Sequence, residues 1–242
     1  MSKLSNFGYI KVTPKEKTKL VQKVFSEVAF NYDLMNDVMS FGAHRLWKRI
    51  FIDLVNPLSS DKIIDVGSGS GDLVLEIQKK NINTKIDIID LNKKMLEEGK
   101  KRIKKGIVKF YQQNAENLSF TNNTYDKYLI SFCLRNITDI DQSFREAFRI
   151  IKPGGKYYCL EFSKPNSFLI SNIYSYYKSN LIPFFGKTFS NNRNAYNYLN
   201  ESIDMFPNQE DLKKRIESAG FKSVKFTNLF DGIVSIHTGF KY

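Results

Sequence analysis

Apolar positions along the chain change period twice. Between residues 15 and 58 they recur at a spacing of about four (Leu20, Val24 and Val28), which predicts a helical segment closed by Pro57. From about residue 60 to 163 short, nearly continuous apolar runs alternate with amphipathic ones. KIIDV (62–66), KIDIID (85–90), VKFYQQ (108–113), KYLISF (127–132) and KYYCLEF (156–162) read as strands buried on both faces. DLVLEIQKK (72–80), NKKMLEEGKKRIKK (92–105) and DQSFREAFRIIK (141–152) read as the helices between them. Strand–helix alternation of this kind predicts an open, doubly wound sheet with right-handed crossovers. Past residue 164 come an aromatic-rich stretch, a short helix at EDLKKRIESAG (210–220), and two runs able to pair as an antiparallel hairpin, FKSVKFTNL (221–229) and GIVSIHTGF (232–240). The expected fold is one α/β domain around a mostly parallel seven-stranded sheet. Residues 1–58 form a helical lid, 59–165 the ligand-binding core, and 166–242 the substrate-side helices and final hairpin.

Composition narrows the functional classes only slightly. The 242 residues are 42% hydrophobic and 26% charged, as expected of a soluble globular protein. Cys133 and Cys159 sit in apolar runs with no Cys/His clustering, so neither a disulfide framework nor a metal site is expected. The first residues show no secretory h-region, and no uninterrupted apolar stretch approaches 18 residues. A cytoplasmic protein is the expectation, with or without peripheral attachment to a membrane. A net charge of +12 admits solvated faces, an anionic membrane surface or nucleic acid. The lysines are scattered, and charge alone does not choose.

The chemistry starts at KIIDVGSGSGD (62–72). Gly67, Gly69 and Gly71 allow a tight turn and close backbone approach to a ligand, and a helix begins at once. In a dinucleotide fingerprint the third glycine lies three residues beyond the second; here the pattern is GxGxG. Asp65, two residues before the first glycine, would repel a pyrophosphate but suits a ligand bearing an amino group. Asp90 ends the next strand, where a carboxylate can take both hydroxyls of a ribose. Ser70 adds a hydroxyl inside the loop, Asn114 ends the third strand where an adenine amino group can be met, and Ala115 offers a backbone N–H with little bulk. An unphosphorylated ribose plus a cationic amino-acid tail describes S-adenosylmethionine.

The loop after the fourth strand bears on the acceptor. ISFCLRNITD (130–139) lacks the Asn/Asp-Pro-Pro-aromatic loop of enzymes that methylate exocyclic base nitrogens. Cys133 has no adjoining proline and lies late in an apolar strand, so it reads as a buried inert thiol rather than the nucleophile of an RNA cytosine-C5 enzyme. Nucleic acid loses most of its support.

FNYDLMNDVMSFGAHRLWKR (30–49), NAENLSF (114–120), ISFCLRNITD (130–139), KPGGKYYCLEFSKP (152–165) and NRNAYNYLNESIDMFPNQE (192–210) together resemble the UbiE family, the ubiquinone/menaquinone biosynthesis C-methyltransferases. The resemblance runs from about Phe25 to Lys241. It implies carbon methylation of a polyprenyl quinol ring with S-adenosylmethionine as donor, and places cofactor contacts on Ser70, Asp90, Asn114, Ala115 and Ser131. Two departures stand out. The loop reads GSGSG where relatives often have AGGTG, and Cys133 stands where relatives usually have a small residue such as glycine.

A quinol carbon becomes nucleophilic when the adjacent hydroxyl loses its proton, so a base or a cation that holds the phenolate is useful. Arg135 and Asn136, just past the carboxyl end of the fourth strand, are placed where ligands bind in this fold. His44, in the helical signature with Arg45 and Trp47, is a further candidate. Asp139 is a weaker proton acceptor, and His237, alternating with apolar residues in the last strand, reads mainly as structural. NYDLMND (31–37) is expected to cap the cofactor cleft as a lid, with Tyr32 and Met35 as apolar cover and Asp33 or Asn36 as polar contacts. In 168–185, Leu169, Ile173, Tyr176 and Tyr177 recur at helical spacing and are expected to face an isoprenoid tail or an anionic membrane surface. A methyltransferase for another hydrophobic small molecule, and a non-catalytic member of a biosynthetic assembly, remain alternatives. A homodimer is left open.

Overall fold

A computed structural model describes residues 4–80, 82–103, 106–177 and 193–242. The chain starts with two short antiparallel strands, β1 (Ser5–Phe7) and β2 (Ile10–Val12), turned by Gly8. Three-residue strands carry too little periodicity to be read from sequence, and this hairpin was not among the expected elements. Helix α1 (Pro14–Val28) opens with a capping box, in which Thr13 accepts from the Glu16 N–H and Glu16 accepts from the Thr13 N–H. The expected helical segment of 15–58 is in fact broken. After α1 a single 3-10 turn at Ala29–Asn31 leads into α2 (Tyr32–Ser40), and Phe41 and Gly42, with φ of 48° and 74°, turn the chain into α3 (Ala43–Val55). Left-handed residues cannot continue a helix, and four-residue spacing on either side conceals the break.

The core then follows the expected alternation: β3 (Lys62–Val66), α4 (Asp72–Lys79), β4 (Lys85–Asp90), α5 (Lys93–Arg102), β5 (Ile107–Gln112), β6 (Tyr125–Ser131), α6 (Ile140–Ile150) and β7 (Ile151–Phe162). Strand β7 begins five residues earlier than the apolar run suggests. Ile151, read as the end of a helix, already pairs with Tyr125, and the register shifts before Lys156 pairs with Lys127. The chain continues through α7 (Phe168–Tyr176), α8 (Arg193–Asp204), α9 (Gln209–Ser218), β8 (Lys222–Leu229) and β9 (Val234–Phe240). Of the stretch 168–185, residues 178–185 lie outside the described residues, as does the side chain of Ile173.

Among the described residues the main sheet has seven strands in the order β5-β4-β3-β6-β7-β9-β8. β3 pairs in parallel with β4 and β6, and β9 inserts antiparallel between β7 and β8. Each face buries its own core. Trp47, Phe51 and Ile52 of α3 pack with Leu73 and Ile77 of α4 on one side; Phe144 of α6 and Leu212 and Ile216 of α9 pack with Tyr128 and Tyr157 on the other. Strand order reverses between β3 and β6, so the carboxyl ends of β3, β4 and β6 open the crevice where ligands bind in such sheets. No helix of the described residues is long and apolar enough to cross a membrane.

Candidate active site

The glycine loop is held by the strand beside it. Beyond Val66 the chain turns through Gly67 (φ 65°) and Gly69 (φ 59°), the Ser68 N–H donates to the Ile89 carbonyl, and the Gly69 N–H donates to Asp90 Oδ2 at 2.8 Å. The other Asp90 oxygen accepts from the Asn92 N–H at 2.7 Å. Burial raises the Asp90 carboxyl above its usual range, and the backbone donors offset only part of that rise. At Gly67 a Cβ would lie 2.0 Å from Cys133 Sγ, so the loop needs glycine both for its backbone angle and for close packing against Cys133, two residues past β6.

Two cavities meet above this loop, sharing Tyr32, Gly67 and Phe132 in their walls. The smaller is lined by Gly69, Asp90, Asn114, Ala115 and Asn136, among others. The larger, about 400 Å³, contains Asp65, Ser131, Arg135, His44, Trp47 and Phe162 in its lining. Cys133 borders the smaller cavity, so its bulk bears on that side, and burial pushes its thiol well up, as expected of an inert cysteine.

Two buried oxygens in the wall of the larger cavity lack any partner, Asp65 Oδ1 and Ser131 Oγ. Asp65 Oδ2 accepts from Ser68 Oγ at 2.5 Å, and burial pushes the carboxyl up to about 7. Buried polar atoms without partners are rare in folded proteins. An amino-acid end with its ammonium group beside Asp65 and Ser131 would meet these needs, and Asp90 stands in the adjoining cavity where a ribose diol would lie, so the donor set fits S-adenosylmethionine.

The remaining sequence-predicted residues are placed as follows. Ser70 is buried but lines neither cavity. Its hydroxyl accepts from Arg102 Nη1 at 2.5 Å and donates to Asp33 Oδ1 at 3.4 Å. Asn114 Oδ1 accepts from the Glu116 N–H, fixing the turn after β5. Asn136 Oδ1 accepts from the Tyr198 hydroxyl at 3.0 Å. His44 Nε2 lies 2.9 Å from Asp37 Oδ1, which assigns the proton to Nε2; Nδ1 is buried without a partner. Burial, with Lys48 nearby, lowers the His44 pKa, so the ring is neutral at physiological pH. Asp37 itself is pushed down to about 2, chiefly by its hydrogen bonds from Arg45. Arg135 Nη1 donates to Glu161 Oε1 at 2.7 Å and to the Phe132 carbonyl at 2.8 Å, and its guanidinium lies over the Phe162 ring. Asp139 caps α6, accepting from the Gln142 N–H. His237 is fully buried, its Nε2 2.9 Å from the Gln209 carbonyl.

Sequence reasoning missed Glu161, Trp47 and Arg102. Glu161 carried a signal, a carboxylate interrupting an otherwise apolar strand. Arg102, read only as part of the amphipathic helix 92–105, ties α2 to the core: it pairs with Asp33 of α2 at 3.1 Å and with Asp72 of α4 at 2.8 Å, and Lys48 of α3 also pairs with Asp72.

Residues 12–241 match the model of the ubiE/COQ5 methyltransferase family. The chain belongs to that family. A "Ubiquinone/menaquinone biosynthesis C-methyltransferase UbiE" from Rickettsia bellii (strain OSU 85-389) is 45% identical, with 98% of each chain covered. A protein of the same description from Zymomonas mobilis is 44% identical over the whole of both chains. Solved structures with this fold include an S-adenosylmethionine-dependent methyltransferase of Thermotoga maritima (TM-score 0.67, 19% identity, 92% of this chain and 100% of that one). Another is a Haemonchus contortus phosphoethanolamine N-methyltransferase solved with S-adenosylhomocysteine (TM-score 0.60, 15% identity, 83% of this chain and 52% of that one). For this UbiE/COQ5 methyltransferase, the doubly wound sheet expected from periodicity is the fold observed.

Proposed function

We propose that this UbiE/COQ5 methyltransferase methylates a ring carbon of a polyprenyl quinol, demethylmenaquinol or a 2-methoxy-6-polyprenyl-1,4-benzoquinol, in quinone biosynthesis. The observation that carries the reading is the junction of the two cavities: a smaller one with Asp90, Asn114 and Ala115 in its lining opens into a large, mainly apolar one that has Asp65 and Ser131 at its cofactor end, and among the described residues they share Tyr32, Gly67 and Phe132. S-adenosylmethionine, when bound, supplies a methyl group made electrophilic by its positively charged sulfur. Asp90 takes the ribose hydroxyls, Asp65 and Ser131 the amino-acid end, and Asn114 and Ala115 border the base. Trp47, Phe132 and Phe162 form an aromatic wall, with Phe132 and Phe162 centroids 4.9 Å apart and Trp47 6.0 Å from each. A planar ring fits such a wall, and its apolarity keeps water from the reacting carbon.

Arg135 holds the ring oxygen as its negative charge develops, and His44 Nδ1 takes the hydroxyl proton. The electron pair so released is delocalised to the carbon that would gain the methyl as the S–CH3 bond breaks and its pair returns to sulfur; that carbon's hydrogen then leaves as a proton to solvent, restoring the aromatic ring, and His44 returns the first proton to the ring oxygen, so one proton is released overall. A charged donor fixed at an oxyanion contributes on the order of 3 kcal/mol in a dry site. The isoprenoid tail leaves by the mouth of the larger cavity, where Phe41 and Phe230 are both more than half exposed, toward an anionic membrane surface. Flotation with vesicles containing anionic lipid tests that attachment.

The deciding experiment incubates the purified protein with labelled S-adenosylmethionine and each reduced quinol in parallel. Label on ring carbon is the expected result, and the preferred ring names the pathway. Cofactor binding with no label on either quinol would reduce the reading to a methyltransferase of another hydrophobic acceptor.

A further inference from the structure

Behind the wall of the larger cavity lies a carboxylate that lines neither cavity. Glu161, next to last in β7, has no exposure to solvent. Its Oε1 accepts from Arg135 Nη1 at 2.7 Å and from the Phe162 N–H at 2.8 Å, and its Oε2 accepts from the Arg135 N–H at 3.3 Å. It therefore grips one arginine by side chain and backbone together. A buried ion pair is a poor device for stability, because an apolar pair of similar volume folds as well or better. This one sits in a strand that is otherwise apolar at its buried positions, so its use lies in what it holds.

The arginine it holds is fixed on further sides. Arg135 Nη1 also donates to the carbonyl of Phe132, whose φ of 52° puts a bulky residue in the left-handed region. The guanidinium carbon stands 5.2 Å from the centre of the Phe162 ring, and Nε is buried without a partner. We propose that Glu161 is a positioning residue that fixes the Arg135 guanidinium, in orientation and in charge, as the receptor for an oxyanion on the acceptor ring. The proposal rests on the quinol reading of the acceptor. Burial alone would depress the Arg135 pKa, but Glu161 with Tyr32 and Tyr198 more than reverses this, so Arg135 stays cationic and cannot be the base. The hydroxyl proton must then go elsewhere, as it does to His44 Nδ1.

The test uses 2-hydroxy-1,4-naphthoquinone, a quinone ring whose hydroxyl is ionised at neutral pH, with S-adenosylhomocysteine as the control ligand. In Glu161→Gln the affinity for the naphtholate is expected to fall about tenfold, while that for S-adenosylhomocysteine stays within about twofold. Arg135→Met should lose the same naphtholate affinity, and the double variant no more than Arg135→Met alone, because the carboxylate acts only through the arginine. In turnover Glu161→Gln should lower kcat about a hundredfold with KM for S-adenosylmethionine unchanged. Wild-type naphtholate affinity in Glu161→Gln overturns the proposal. So do losses that add in the double variant, or a parallel loss of S-adenosylhomocysteine binding, which would mark a merely structural pair. A wild-type protein with no affinity for the naphtholate overturns it as well. Arg135-dependent naphtholate binding without methylation of any quinol leaves the Glu161 role standing and removes the quinol reading instead.

Discussion

Asp65 stands at the last turn of the pleat before the glycine loop, with one carboxylate oxygen on Ser68 and the other buried without a partner. Burial holds its carboxyl at about 7 in the folded chain, against 3.8 ordinarily. Because the folded value is the higher, ionised Asp65 opposes folding. The cost is absent below about pH 4, grows as the pH rises, and is complete above about pH 7, on the order of 4 kcal/mol. A cationic ligand reverses the balance by favouring the ionised form. Affinity for S-adenosylmethionine is therefore expected to fall about tenfold between pH 8 and pH 6, with a proton released on binding near neutrality. Asp65→Asn should flatten that dependence, weaken binding at pH 8, and raise the Tm of the ligand-free protein there. Calorimetric titration in buffers of different ionisation enthalpy reads the proton, and a wild-type affinity level across this range would refute the role. Residues of this kind can be picked out from local sequence: Asp65, Asp90 and Asn114 each lie within two residues of the carboxyl end of a strand. Glu161 cannot, because its partner lies 26 residues away across the sheet, and no spacing rule connects them.

At the scale of elements, the N-terminal helices show what periodicity can and cannot deliver. Apolar positions at four-residue spacing located helices in residues 15–58 but not the breaks at Ala29–Asn31 and Phe41–Gly42 that set α2 over the glycine loop. Nor did they show what fastens α2. Arg102, on α5, reaches Asp33 of α2, Asp72 of α4 and the Ser70 carbonyl, the last at 3.2 Å, so one side chain joins α2, the core helix and the glycine loop. Arg102 and Asp33 are each about a third exposed, so their pairing is worth about 1 kcal/mol or less and is screened by salt. Arg102→Met is expected to raise KM for S-adenosylmethionine threefold to tenfold while shifting Tm by no more than about 3 °C, an order set by such pair energies. Wild-type affinity should decline as salt rises toward about 1 M, and that of the variant should decline less. Equal salt dependence in the two proteins would show that the arginine does not latch α2.

Over the whole molecule, the first hairpin and α8, more than 190 residues apart in the chain, meet beside the site, and no local signal in the sequence announces it. The hairpin of β1 and β2 lies against α8. The Tyr9 N–H donates to Glu201 Oε2 at 3.2 Å, the Tyr9 hydroxyl donates to Asp204 Oδ2 at 2.8 Å, and the ring of Phe7 stacks on that of Tyr198 at 4.3 Å. Tyr198 in turn donates to Asn136, next to the arginine. On α1, Lys17 is buried with Nζ donating to the Ile137 carbonyl at 2.7 Å, and burial pushes its pKa down to about 8. The turn that carries Arg135 and Asn136 is thus clamped by α1 and α8 from outside, while the two sheet cores include neither Phe7 nor Tyr9. This separates stability from activity. Replacing Phe7 and Tyr9 together by alanine leaves both cores intact, so Tm should fall by only about 3 °C. Methyl transfer should nevertheless drop about tenfold, the order expected when a reacting geometry loosens by a fraction of an ångström. Tyr198→Phe, which keeps the stack and removes only the hydroxyl bond to Asn136, should reproduce most of that loss if the strap acts through Asn136. Full activity in both variants would make the hairpin a passive cover and leave the positioning of Asn136 to the turn alone.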